Sequence, residues 1–481
     1  MNARNFFKAY DMRGTFGADF DLDTVYRVGL AMPSIIGAKK WLVGRDCRTT
    51  SADVRDALVR GLTDAGANVT DIGLCTTPMV YFFTAEDGYD ASVMITASHN
   101  PPSDNGLKVS RAGAIPVGFA DGLDKVCEKV LSDEFRVISD EFRVMSEAPN
   151  SSLITHHSSL ITNHSSLITH HSSLITHHSS LITRYIDWQK KATPDATLNG
   201  LRYAVDCSNG MASLLAKELF PNAEIINSTL DGTFPNHSPN PLKAEAREQC
   251  ATLVREMKLD CGVIFDGDAD RAMFVDENGD FIQPDYLIPI VFNATRQNDS
   301  AVVIHDVRTS RGAIEAIREA GAKPLMVPVG HVFAKRVLRE SGALCGGELA
   351  GHYYFSEFHN CDSGVLAARR ILAEIAKAKK RGITFSQMMA PITKRYANSG
   401  ELNFRVEDKT AAVGRVMTAV ATRLPPEISH SRLDGIRYEF ANGWFNIRAS
   451  NTEPYLRLVA ECDTEERLAQ WLDILKREIT A

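Results

Sequence analysis

The sequence predicts an α/β protein with three related α/β domains, built on mixed, largely parallel sheets, and a smaller C-terminal α+β domain. The chain has 481 residues, which at about 150 residues per domain is enough for three or four domains. Short apolar runs alternate with helical patterns as far as residue 395, and this alternation is typical of sheets covered by helices. From residue 396 the pattern changes to alternating apolar and polar residues and closes with a helical pattern.

Composition and charge narrow the class of protein. Apolar residues make up 44% of the chain and charged residues 23%, which is the usual balance of a globular protein. Lys and Arg total 53 and Asp and Glu total 60, so the net charge is −7. The chain lacks the broad positive charge that nucleic-acid binding requires, and we expect no nucleic-acid partner.

Cysteine spacing and hydropathy indicate the compartment. The nine cysteines are scattered and none forms a CxxC pair, so the sequence predicts neither a disulfide framework nor a zinc site. The first residues contain no apolar signal segment, and no stretch reaches the 18 or so apolar residues of a membrane span. We expect a cytoplasmic protein without a membrane partner.

The predicted elements follow in chain order. Apolar runs predict five strands before residue 396: Lys40–Gly44, Ala91–Ile95, Tyr203–Asp206, Cys261–Phe265 and Ala301–His305. Helical periodicity predicts three of the helices between them: Ser51–Ala65, Met211–Leu219 and Gly312–Ala320. In the C-terminal part, alternation predicts four strands before a helix that begins at Glu465. These strands are Leu402–Val406, Arg437–Ala441, Trp444–Ala449 and Tyr455–Cys462.

Two tandem repeats interrupt this order. A seven-residue unit at 132–138 recurs at 139–145, and its apolar residues extend an amphipathic helix that includes Cys127. From Ser151 to Thr183 the unit Ser-Ser-Leu-Ile-Thr-His-His repeats, and residues 148–183 contain no charged side chain. We interpret this second tract as a low-complexity linker that forms no packed element.

Three of the apolar runs end in clusters of polar residues: Thr96–Pro101, Asp266–Arg271 and Gly347–His352. In open α/β sheets, ligands bind beyond the carboxyl ends of the strands. We therefore expect each α/β domain to contribute one loop to a shared central cleft.

The second cluster carries three carboxylates at alternate positions. On an extended segment, Asp266, Asp268 and Asp270 can converge on one hard cation, and ligands that are all oxygen favour Mg²⁺ over zinc. The alternative is an ordinary Asp-Gly turn at the surface. Three like charges this close repel one another unless a cation binds them, so the sequence favours one magnesium site per chain.

The first cluster presents a hydroxyl group. Ser98 lies between a strand end and a Pro-Pro break, where a serine can act as a nucleophile or carry a phosphate. The same position is also common for an ordinary turn serine. Lys108 follows closely and could donate a proton or bind a charged group.

Other loops carry groups that suit a phosphorylated sugar. The segment from Arg448 to Pro454 offers a guanidinium, two hydroxyls and backbone N–H groups, which together can hold a phosphate dianion. Glu348 could accept hydrogen bonds from a pair of hydroxyls, and His352 and His331 are titratable. Taken singly, each of these loops could equally be an ordinary polar loop.

Together these loops resemble, in order and content, those of the α-D-phosphohexomutase superfamily, and within it the bacterial phosphomannomutase/phosphoglucomutase group. The resemblance extends from Ala9–Gly14 to the C-terminal phosphate loop, and only residues 132–183 lie outside it. It implies four domains around a central cleft. We place them at residues 1–150, 184–278, 279–395 and 396–481, with a linker at 151–183.

The resemblance also implies a role for each site residue. Ser98 would be the phosphoserine, and its phosphate would bind Mg²⁺ together with Asp266, Asp268 and Asp270. The residues that would assist catalysis are Arg13, Lys108, Arg271, His331 and His352. The residues that would bind the substrate are Tyr10, Arg308, Glu348, Arg448, Ser450, Asn451 and Thr452.

The implied activity is reversible phosphoryl transfer between C6 and C1 of a hexose phosphate, mannose and/or glucose. It would pass through a hexose 1,6-bisphosphate, which also serves as activator. The partner would be the hexose phosphate, and the enzyme would be a monomer or a weak dimer. Two positions depart from the family pattern, since family members often carry Lys at the position of Arg308 and Ser at that of Ala350.

Three alternatives remain open. Phosphoglucosamine mutases are similar but usually carry Ser-Gly-Thr where this chain has Ser450-Asn451-Thr452. A metal-dependent sugar phosphatase would explain Ser98 and the Asp-rich loop, but it would not explain a separate phosphate-binding loop. A metal-binding protein without enzymatic activity would be built on the histidine-rich tract.

Overall fold

The computed structural model describes residues 3–132, 179–296, 301–450 and 455–481. These residues form four sheets with helices packed on them. In each of the first three sheets, a central strand lies between two parallel neighbours, and one neighbour continues into antiparallel strands. The fourth sheet is antiparallel throughout. The fold class predicted from the sequence is therefore confirmed.

The first sheet has the strand order β1-β5-β4-β2-β3, with β6 paired to β5. Its strands are Met12–Thr15 (β1), Lys40–Arg45 (β2), Asn68–Leu74 (β3), Ala91–Ile95 (β4), Asp104–Arg111 (β5) and Ile115–Pro116 (β6). Its helices are Leu22–Ile36 (α1), Ser51–Asp64 (α2), Thr77–Glu86 (α3) and Leu123–Leu131 (α4). Helix α1 begins where Asp21 accepts the Thr24 N–H and ends at Gly37 with φ 75°, so both of its ends carry standard caps.

The second sheet has the order β11-β10-β9-β7-β8. Its strands are Tyr203–Asp206 (β7), Ala223–Ile226 (β8), Cys261–Phe265 (β9), Ala272–Asp276 (β10) and Phe281–Ile282 (β11). Residues 179–192 are helical (α5), and two further helices follow: Ala216–Leu219 (α6) and Glu248–Met257 (α7).

The third sheet has the order β13-β12-β14-β15-β16. Its strands are Val302–Asp306 (β12), Lys323–Val327 (β13), Cys345–Gly347 (β14), Tyr353–Phe355 (β15) and Cys361–Asp362 (β16). Its helices are Ile288–Thr295 (α8), Arg311–Glu319 (α9), His331–Ser341 (α10), Gly364–Lys380 (α11) and Phe385–Thr393 (α12).

The fourth sheet has the order β17-β21-β20-β19-β18. Its strands are Ala397–Arg405 (β17), Ser429–Ser431 (β18), Ile436–Phe440 (β19), Gly443–Ala449 (β20) and Tyr455–Cys462 (β21). Helices Lys409–Arg423 (α13) and Glu465–Thr480 (α14) bury apolar faces against it, and Trp471 of α14 lies in the resulting core.

The same turn follows the central strand of each α/β sheet. In all three sheets an aspartate at the strand end accepts the backbone N–H two residues later, which is an Asx turn. The three pairs are Asp46 with Arg48 at 3.0 Å, Asp206 with Ser208 at 2.8 Å and Asp306 with Arg308 at 2.6 Å. This repeated turn supports the prediction that the three domains are related.

Two predicted helices differ from those observed. The predicted helix Met211–Leu219 is a 3₁₀ turn, Met211–Leu214, followed by the short helix α6. The predicted helix through Cys127 ends at Leu131, where Ser132 is extended with φ −71° and ψ 152°. The remainder of that prediction, residues 133–145, lies outside the described residues.

The last five residues of the predicted linker are packed, which corrects the prediction for them. Residues 179–183 belong to helix α5, and Leu181 is only 6% exposed, in one core with Tyr185. The Tyr185 ring lies 5.5 Å from Phe82 of α3 and 6.4 Å from Phe358 in the third domain. Packing between domains therefore overrides the weak helix propensity of Ser and Thr. The rest of the tract, 151–178, lies outside the described residues.

The described part of the chain contains no helix with the length and apolar content needed to cross a bilayer. All nine cysteines fall in described segments as free thiols, and all but Cys47 are buried.

Candidate active site

A tight turn after β4 presents Ser98. Its backbone is left-handed, with φ 52°, a conformation that costs a residue with a side chain about 1–3 kcal/mol. Its N–H donates to Thr96 Oγ1 at 2.8 Å. A strained turn of this kind persists only where its surroundings hold it in place.

The guanidinium of Arg48 holds this turn. Arg48 is 2% exposed, and its Nε donates to Asp46 Oδ2 at 3.2 Å. Its two terminal nitrogens donate to four carbonyl oxygens at 2.6–3.0 Å, those of Ser98, Asn100, Pro101 and Asp104. Arg48 therefore positions the backbone around Ser98.

The turn between β9 and β10 brings three carboxylates to Ser98. The sequence predicts an extended segment here, but Ala269 has φ 60° and the chain turns, so that detail of the prediction is wrong. Ser98 Oγ donates to Asp266 Oδ2 at 2.9 Å. Gly267 permits the close approach, since a Cβ there would lie 2.5 Å from the Ser98 carbonyl oxygen. The carboxylates converge because the chain turns.

The three carboxylates fit a divalent cation. Asp266, Asp268 and Asp270 are buried, and each offers an oxygen within 4.8 Å of the others. Burial raises the pKa of Asp266 well above its usual range, and the charges of Asp270 and Asp268 raise it further. Asp268 Oδ1 and Asp270 Oδ1 are buried without a hydrogen-bond partner in the described segments. A bound cation would relieve the repulsion and satisfy both oxygens, and an all-oxygen site suits Mg²⁺.

Lys108 lies against the same carboxylates. Its Nζ donates to Asp268 Oδ2 at 2.7 Å and to Asp270 Oδ2 at 2.5 Å. Burial lowers the pKa of Lys108, but the two carboxylates outweigh it and the pKa is raised. Burial raises the pKa of Asp270, but the positive charges of Lys108 and Arg271 outweigh burial and lower that pKa to about 2. Lys108 is therefore a charged donor beside the candidate metal site.

A buried chain of contacts orients Arg271. Its Nε donates to His352 Nε2 at 3.0 Å, so Nε2 is an acceptor and the imidazole proton belongs on Nδ1. His352 Nδ1 lies 2.7 Å from Asp362 Oδ2, and Asp362 Oδ1 lies 2.7 Å from Lys335 Nζ. Arg271 Nε lies 3.6 Å from Asp266 Oδ2. His352 and Asp362 thus hold a guanidinium next to the carboxylate that Ser98 contacts.

His331, at the start of α10, has a different environment. Both of its ring nitrogens are buried and have no hydrogen-bond partner among the residues described. Burial lowers the pKa of His331 well below its usual range, and Lys335 and Lys108 lower it further. The ring centroid lies 6.1 Å from that of His352. A neutral imidazole with unsatisfied nitrogens is able to accept a proton.

Tyr10 and Arg13 connect the first domain to this region. The Tyr10 hydroxyl donates to the Val329 carbonyl at 3.1 Å, and the ring centroid lies 6.5 Å from that of His331. Arg13 donates to Asp11 Oδ2 at 2.6 Å and to Asn100 Oδ1 at 3.2 Å. Arg13 therefore lies beside the serine turn.

Glu348 and Arg308 form a buried cluster in the third domain. Glu348 accepts hydrogen bonds from the Tyr354 hydroxyl and, at 3.2 Å, from the Gly330 N–H. Arg308 donates to Asp306 Oδ2 from Nε at 3.1 Å and from Nη2 at 2.6 Å. Nη2 also lies 3.7 Å from Glu348 Oε2. The two predicted sugar contacts are therefore neighbours.

The fourth domain contributes the predicted phosphate-binding loop. Arg448, near the end of β20, is 4% exposed. The Ser450 N–H donates to the Tyr455 carbonyl at 2.9 Å, which joins the two ends of the loop. Asn451 and Thr452 lie outside the described residues.

The predicted residues fall into two groups. Ser98, Lys108, the three aspartates, Arg271 and His352 form one network around the serine turn. Arg308, Glu348 and Arg448 belong to a second network, in which Glu401 contacts both Arg308 and Arg448. Between the residues that the structure describes, no contact joins Arg448 to Ser98.

Sequence reasoning missed several residues of these networks: Arg48, Thr77, His99, Asp362 and Glu401. The adjacency of His99 to Ser98 was a usable signal, since His99 Nδ1 lies 3.3 Å from Ser98 Oγ. Thr77 donates to Asp268 Oδ2 at 2.5 Å, a contact that joins two domains. The others likewise become neighbours of the site only through the fold, so no local pattern could find them.

This fold and site are typical of an enzyme that moves a phosphoryl group, because a serine hydroxyl lies beside a candidate cation site and a separate loop carries an arginine. Family models for the phosphoglucomutase/phosphomannomutase domains match the whole architecture. The α/β/α domains I, II and III match residues 4–136, 182–279 and 283–396, and the C-terminal domain matches 401–477. The chain belongs to the phosphoglucomutase/phosphomannomutase family.

Individual relatives agree with this family. The phosphomannomutase of Vibrio cholerae is 33% identical over 470 residues, covering 95% of this chain and 94% of the relative. That of Escherichia coli K12 is 33% identical over 465 residues, with the same coverage. A crystal structure of a family protein from Burkholderia thailandensis superposes with a TM-score of 0.76 at 26% identity, over 100% of this chain and 98% of that one. The chain is therefore an enzyme, a mutase of the isomerase class, and the alternative without enzymatic activity is discarded.

Proposed function

We propose that the enzyme transfers a phosphoryl group reversibly between C6 and C1 of a hexose phosphate, mannose and/or glucose, through phosphorylated Ser98 and a hexose 1,6-bisphosphate. The relatives named phosphomannomutase support this substrate class. The observation that carries the proposal is the 2.9 Å hydrogen bond between Ser98 Oγ and Asp266 inside the carboxylate cluster. A phosphoryl group on that oxygen would lie where cationic groups neutralise its charge, which is the main requirement of phosphoryl transfer.

In the first half-reaction, the free hydroxyl of the substrate attacks the phosphorus carried by Ser98. A bond from phosphorus to the sugar oxygen forms as the bond to Ser98 Oγ breaks. His331 takes the proton of the attacking hydroxyl, and Lys108 gives a proton to the leaving Ser98 oxygen. The product is the bisphosphate.

The second half-reaction reverses these steps at the other phosphate. The bisphosphate first reverses its orientation in the site, so that its other phosphate faces Ser98. Ser98 Oγ then returns its proton to Lys108 and attacks the phosphorus of that phosphate. The sugar oxygen leaves with the proton that His331 holds. Each residue ends in its starting protonation state, which a reversible mutase requires.

Asp266, Asp268 and Asp270 would hold one Mg²⁺ per chain, which supplies positive charge to the phosphoryl group in transfer. Arg271, oriented by His352, adds a guanidinium beside Asp266. Arg13 adds a second guanidinium beside the serine turn, where it contacts Asn100. Asp268 Oδ1 and Asp270 Oδ1, which have no hydrogen-bond partner among the residues that the structure describes, support this assignment.

The second network would bind the rest of the substrate. Arg448 and Ser450, with Asn451 and Thr452 of the same loop, would hold the phosphate that does not react. Glu348, Arg308 and Tyr10 would contact the sugar. One loop must accept either phosphate of the bisphosphate, so it must recognise the dianion and not the ring.

A coupled mutase assay tests the function. Mannose 1-phosphate, glucose 1-phosphate and glucosamine 1-phosphate are compared with and without a trace of the sugar 1,6-bisphosphate. We expect turnover of mannose and/or glucose 1-phosphate and activation by the bisphosphate. Preference for glucosamine 1-phosphate would identify a phosphoglucosamine mutase, and release of inorganic phosphate without isomerisation would identify a phosphatase.

We also propose that the protein is cytoplasmic and is a monomer or weak dimer. Sedimentation at several protein concentrations tests the oligomeric state. We place the domain limits at 1–150, 179–278, 279–395 and 396–481, because residues 179–183 belong to helix α5, and the linker shortens to 151–178.

A further inference from the structure

The carboxylate of Glu401 lies between three arginines, one of which, Arg448, begins the predicted phosphate-binding loop. Glu401 Oε2 accepts Arg308 Nη1 at 2.9 Å and Arg448 Nη2 at 3.4 Å, and Oε1 accepts Arg457 Nη1 at 3.4 Å. The Glu401 side chain is 17% exposed, and those of Arg308 and Arg448 are buried. One anion is therefore shared by three guanidinium groups from two domains.

The backbone of β17 aims Glu401 at this position. The register between β17 and β21 shifts between Asn398 and Glu401, and Gly400 has φ 62°. The Ser399 hydroxyl accepts the Ala460 N–H at 2.9 Å within this irregularity. Since a bulge redirects the side chains of its strand, the position of Glu401 is built into the sheet.

The charges around Glu401 keep it ionised. Arg448 and Arg457 lie directly opposite each other on β20 and β21, and like charges in that position destabilise a sheet. Burial raises the pKa of Glu401, but Arg308, Arg448 and Arg457 outweigh it and lower that pKa to about 2. Glu401 is therefore the counter-ion of these arginines at neutral pH.

Arg448 keeps donor capacity for another anion. Its 3.4 Å contact with Glu401 is longer than the roughly 2.7–2.9 Å of a strong charge-assisted hydrogen bond. Its Nε is buried and has no hydrogen-bond partner in the described ranges of the chain. A phosphate that approaches Arg448 can therefore gain hydrogen bonds that Glu401 does not make.

We propose that Glu401 is an internal counter-anion that competes with the substrate phosphate for Arg448 and so limits the affinity for hexose phosphate. The proposal rests on the proposed function, in which the loop binds one phosphate, releases it and binds the other in every turnover. Release from a loop without an internal anion would leave buried guanidinium groups uncompensated, which is costly. Glu401 returns to Arg448 as the phosphate leaves and lowers that cost.

The competing explanation is that Glu401 is a brace that holds the arginines in position for phosphate. The two explanations predict opposite effects when the charge of Glu401 is removed. Competition predicts tighter binding of a phosphate dianion, and a brace predicts weaker binding.

Glu401→Gln separates them, because the amide keeps the shape and loses the charge. Calorimetric titration with glucose 1-phosphate, and separately with inorganic phosphate, is done in EDTA so that no turnover occurs. We expect the Kd of glucose 1-phosphate to fall about tenfold, a factor that corresponds to about 1.4 kcal/mol, and the Kd of phosphate to fall as well. With Mg²⁺ present, kcat should fall because release is slower.

Glu439→Gln is the matched control. Glu439 also joins the third and fourth domains, through Arg311 at 2.9 Å, and contacts Arg437 at 2.7 Å. It contacts neither Arg448 nor Glu401 among the described residues, so its Gln variant should bind both probes with the wild-type Kd. Melting temperatures of both variants show whether each is folded.

Several results would overturn the proposal. An unchanged or weaker Kd in Glu401→Gln would identify a brace, and tightening that persists when Arg448→Ala is added would place the effect elsewhere. If Glu401→Gln does not fold, Glu401→Asp is used instead, because it keeps the carboxylate on a shorter side chain. Weaker phosphate binding by Glu401→Asp would also show that Glu401 holds the arginines in position. Absence of mutase turnover in wild type would reject the proposed function alone, because the phosphate titration needs no turnover.

Discussion

Ser98 Oγ lies 2.9 Å from Asp266 Oδ2, although 168 positions separate the two residues. The contact joins a strained turn of the first domain to the acidic turn of the second. It places a hydroxyl against a carboxylate whose pKa burial raises well above its usual range, with Asp270 and Asp268 adding to the effect. A charged group attached to Ser98 would therefore need a cation close by.

Ser98→Ala should abolish turnover and leave the fold intact, because it removes one oxygen and no apolar contact. We expect kcat to fall by about 10³-fold or more, the scale of losing a group that takes part in the chemistry. Intact-mass analysis should show a phosphorylated fraction in the wild type that is lost in the variant. Ser103→Ala, at an exposed serine of the same loop, is the control. Full activity of Ser98→Ala would exclude the phosphoserine.

Removal of metal should stop the reaction reversibly. The three carboxylates are buried, and two of their oxygens have no hydrogen-bond partner within the described ranges, which predicts that EDTA abolishes activity and that Mg²⁺ restores it. Asp268→Asn should lower the rate and raise the Mg²⁺ concentration needed for half-maximal activity. Asp280→Asn changes an exposed carboxylate after β10 and should alter neither. Activity that survived prolonged chelation would assign the acidic turn another role.

Arg48→Lys should disable the enzyme through the backbone of the serine turn. A lysine ammonium cannot reach Asp46 and four carbonyl oxygens together, because it is a compact charge and not a planar fork. Leaving buried carbonyls unpaired costs about 1–3 kcal/mol each. We expect lower unfolding free energy in urea and a reduced kcat, with little change in the Kd of glucose 1-phosphate. Arg60→Lys, at a largely exposed arginine, should behave as wild type, and wild-type kcat in Arg48→Lys would contradict the role.

The buried pair of His237 and Asp206 should make stability depend on pH. His237 Nε2 lies 3.2 Å from Asp206 Oδ2, and Nδ1 lies 2.8 Å from the Ser238 carbonyl, so both ring nitrogens face acceptors. Burial lowers the pKa of His237, but Asp206 outweighs it and the pKa is raised. The stabilisation is then complete below the unfolded value of about 6.5 and is lost as pH rises through the higher folded value.

His237→Ala tests this dependence. Breaking a buried ion pair costs about 3 kcal/mol, so the variant should lose about that much near pH 6 and less near pH 8.5. Urea unfolding at the two pH values measures the difference. The control is His430→Ala, because His430 forms an exposed ion pair with Glu427. A loss that is constant or larger at the higher pH would refute the linkage.

Excision of residues 151–178 should leave fold and activity near wild type. These residues are four complete heptapeptide units without charge, and the cost of closing a loop grows only slowly with its length. The fifth unit should behave differently, because Leu181 is buried. Leu181→Ala should cost about 2–5 kcal/mol, and Leu174→Ala, at the same position of the preceding unit, should cost almost nothing. Thermal melting and mutase assays compare the three variants, and equal losses in the two Ala variants would contradict the linker interpretation.

Much of the fold could be predicted from local patterns. Apolar runs located Ala91–Ile95, Tyr203–Asp206 and Cys261–Phe265 to the residue, because buried strands are short, apolar and bounded by polar turns. Strand β5 was missed because polar residues such as Asn105 and Lys108 interrupt it, although it is buried along nearly its whole length.

The site was predictable where one turn carries the chemistry. Asp266, Asp268 and Asp270 lie within five residues, so their composition alone indicated a cation. Arg48 and Glu401 contact residues that are distant in sequence, and nothing in the local sequence around either residue indicates those contacts.

The heptapeptide tract separates what the sequence by itself determined from what the tertiary structure decided. Composition marked the tract as low in charge and weak in helix propensity, which holds equally for each of its units. Leu174 and Leu181 have the same preceding residues, yet the burial of Leu181 depends on Tyr185 and Ile186 after it and on Phe82 and Phe358 across the domain boundary. Helix formation there depends on apolar area buried against other domains, a contribution that local propensity does not contain.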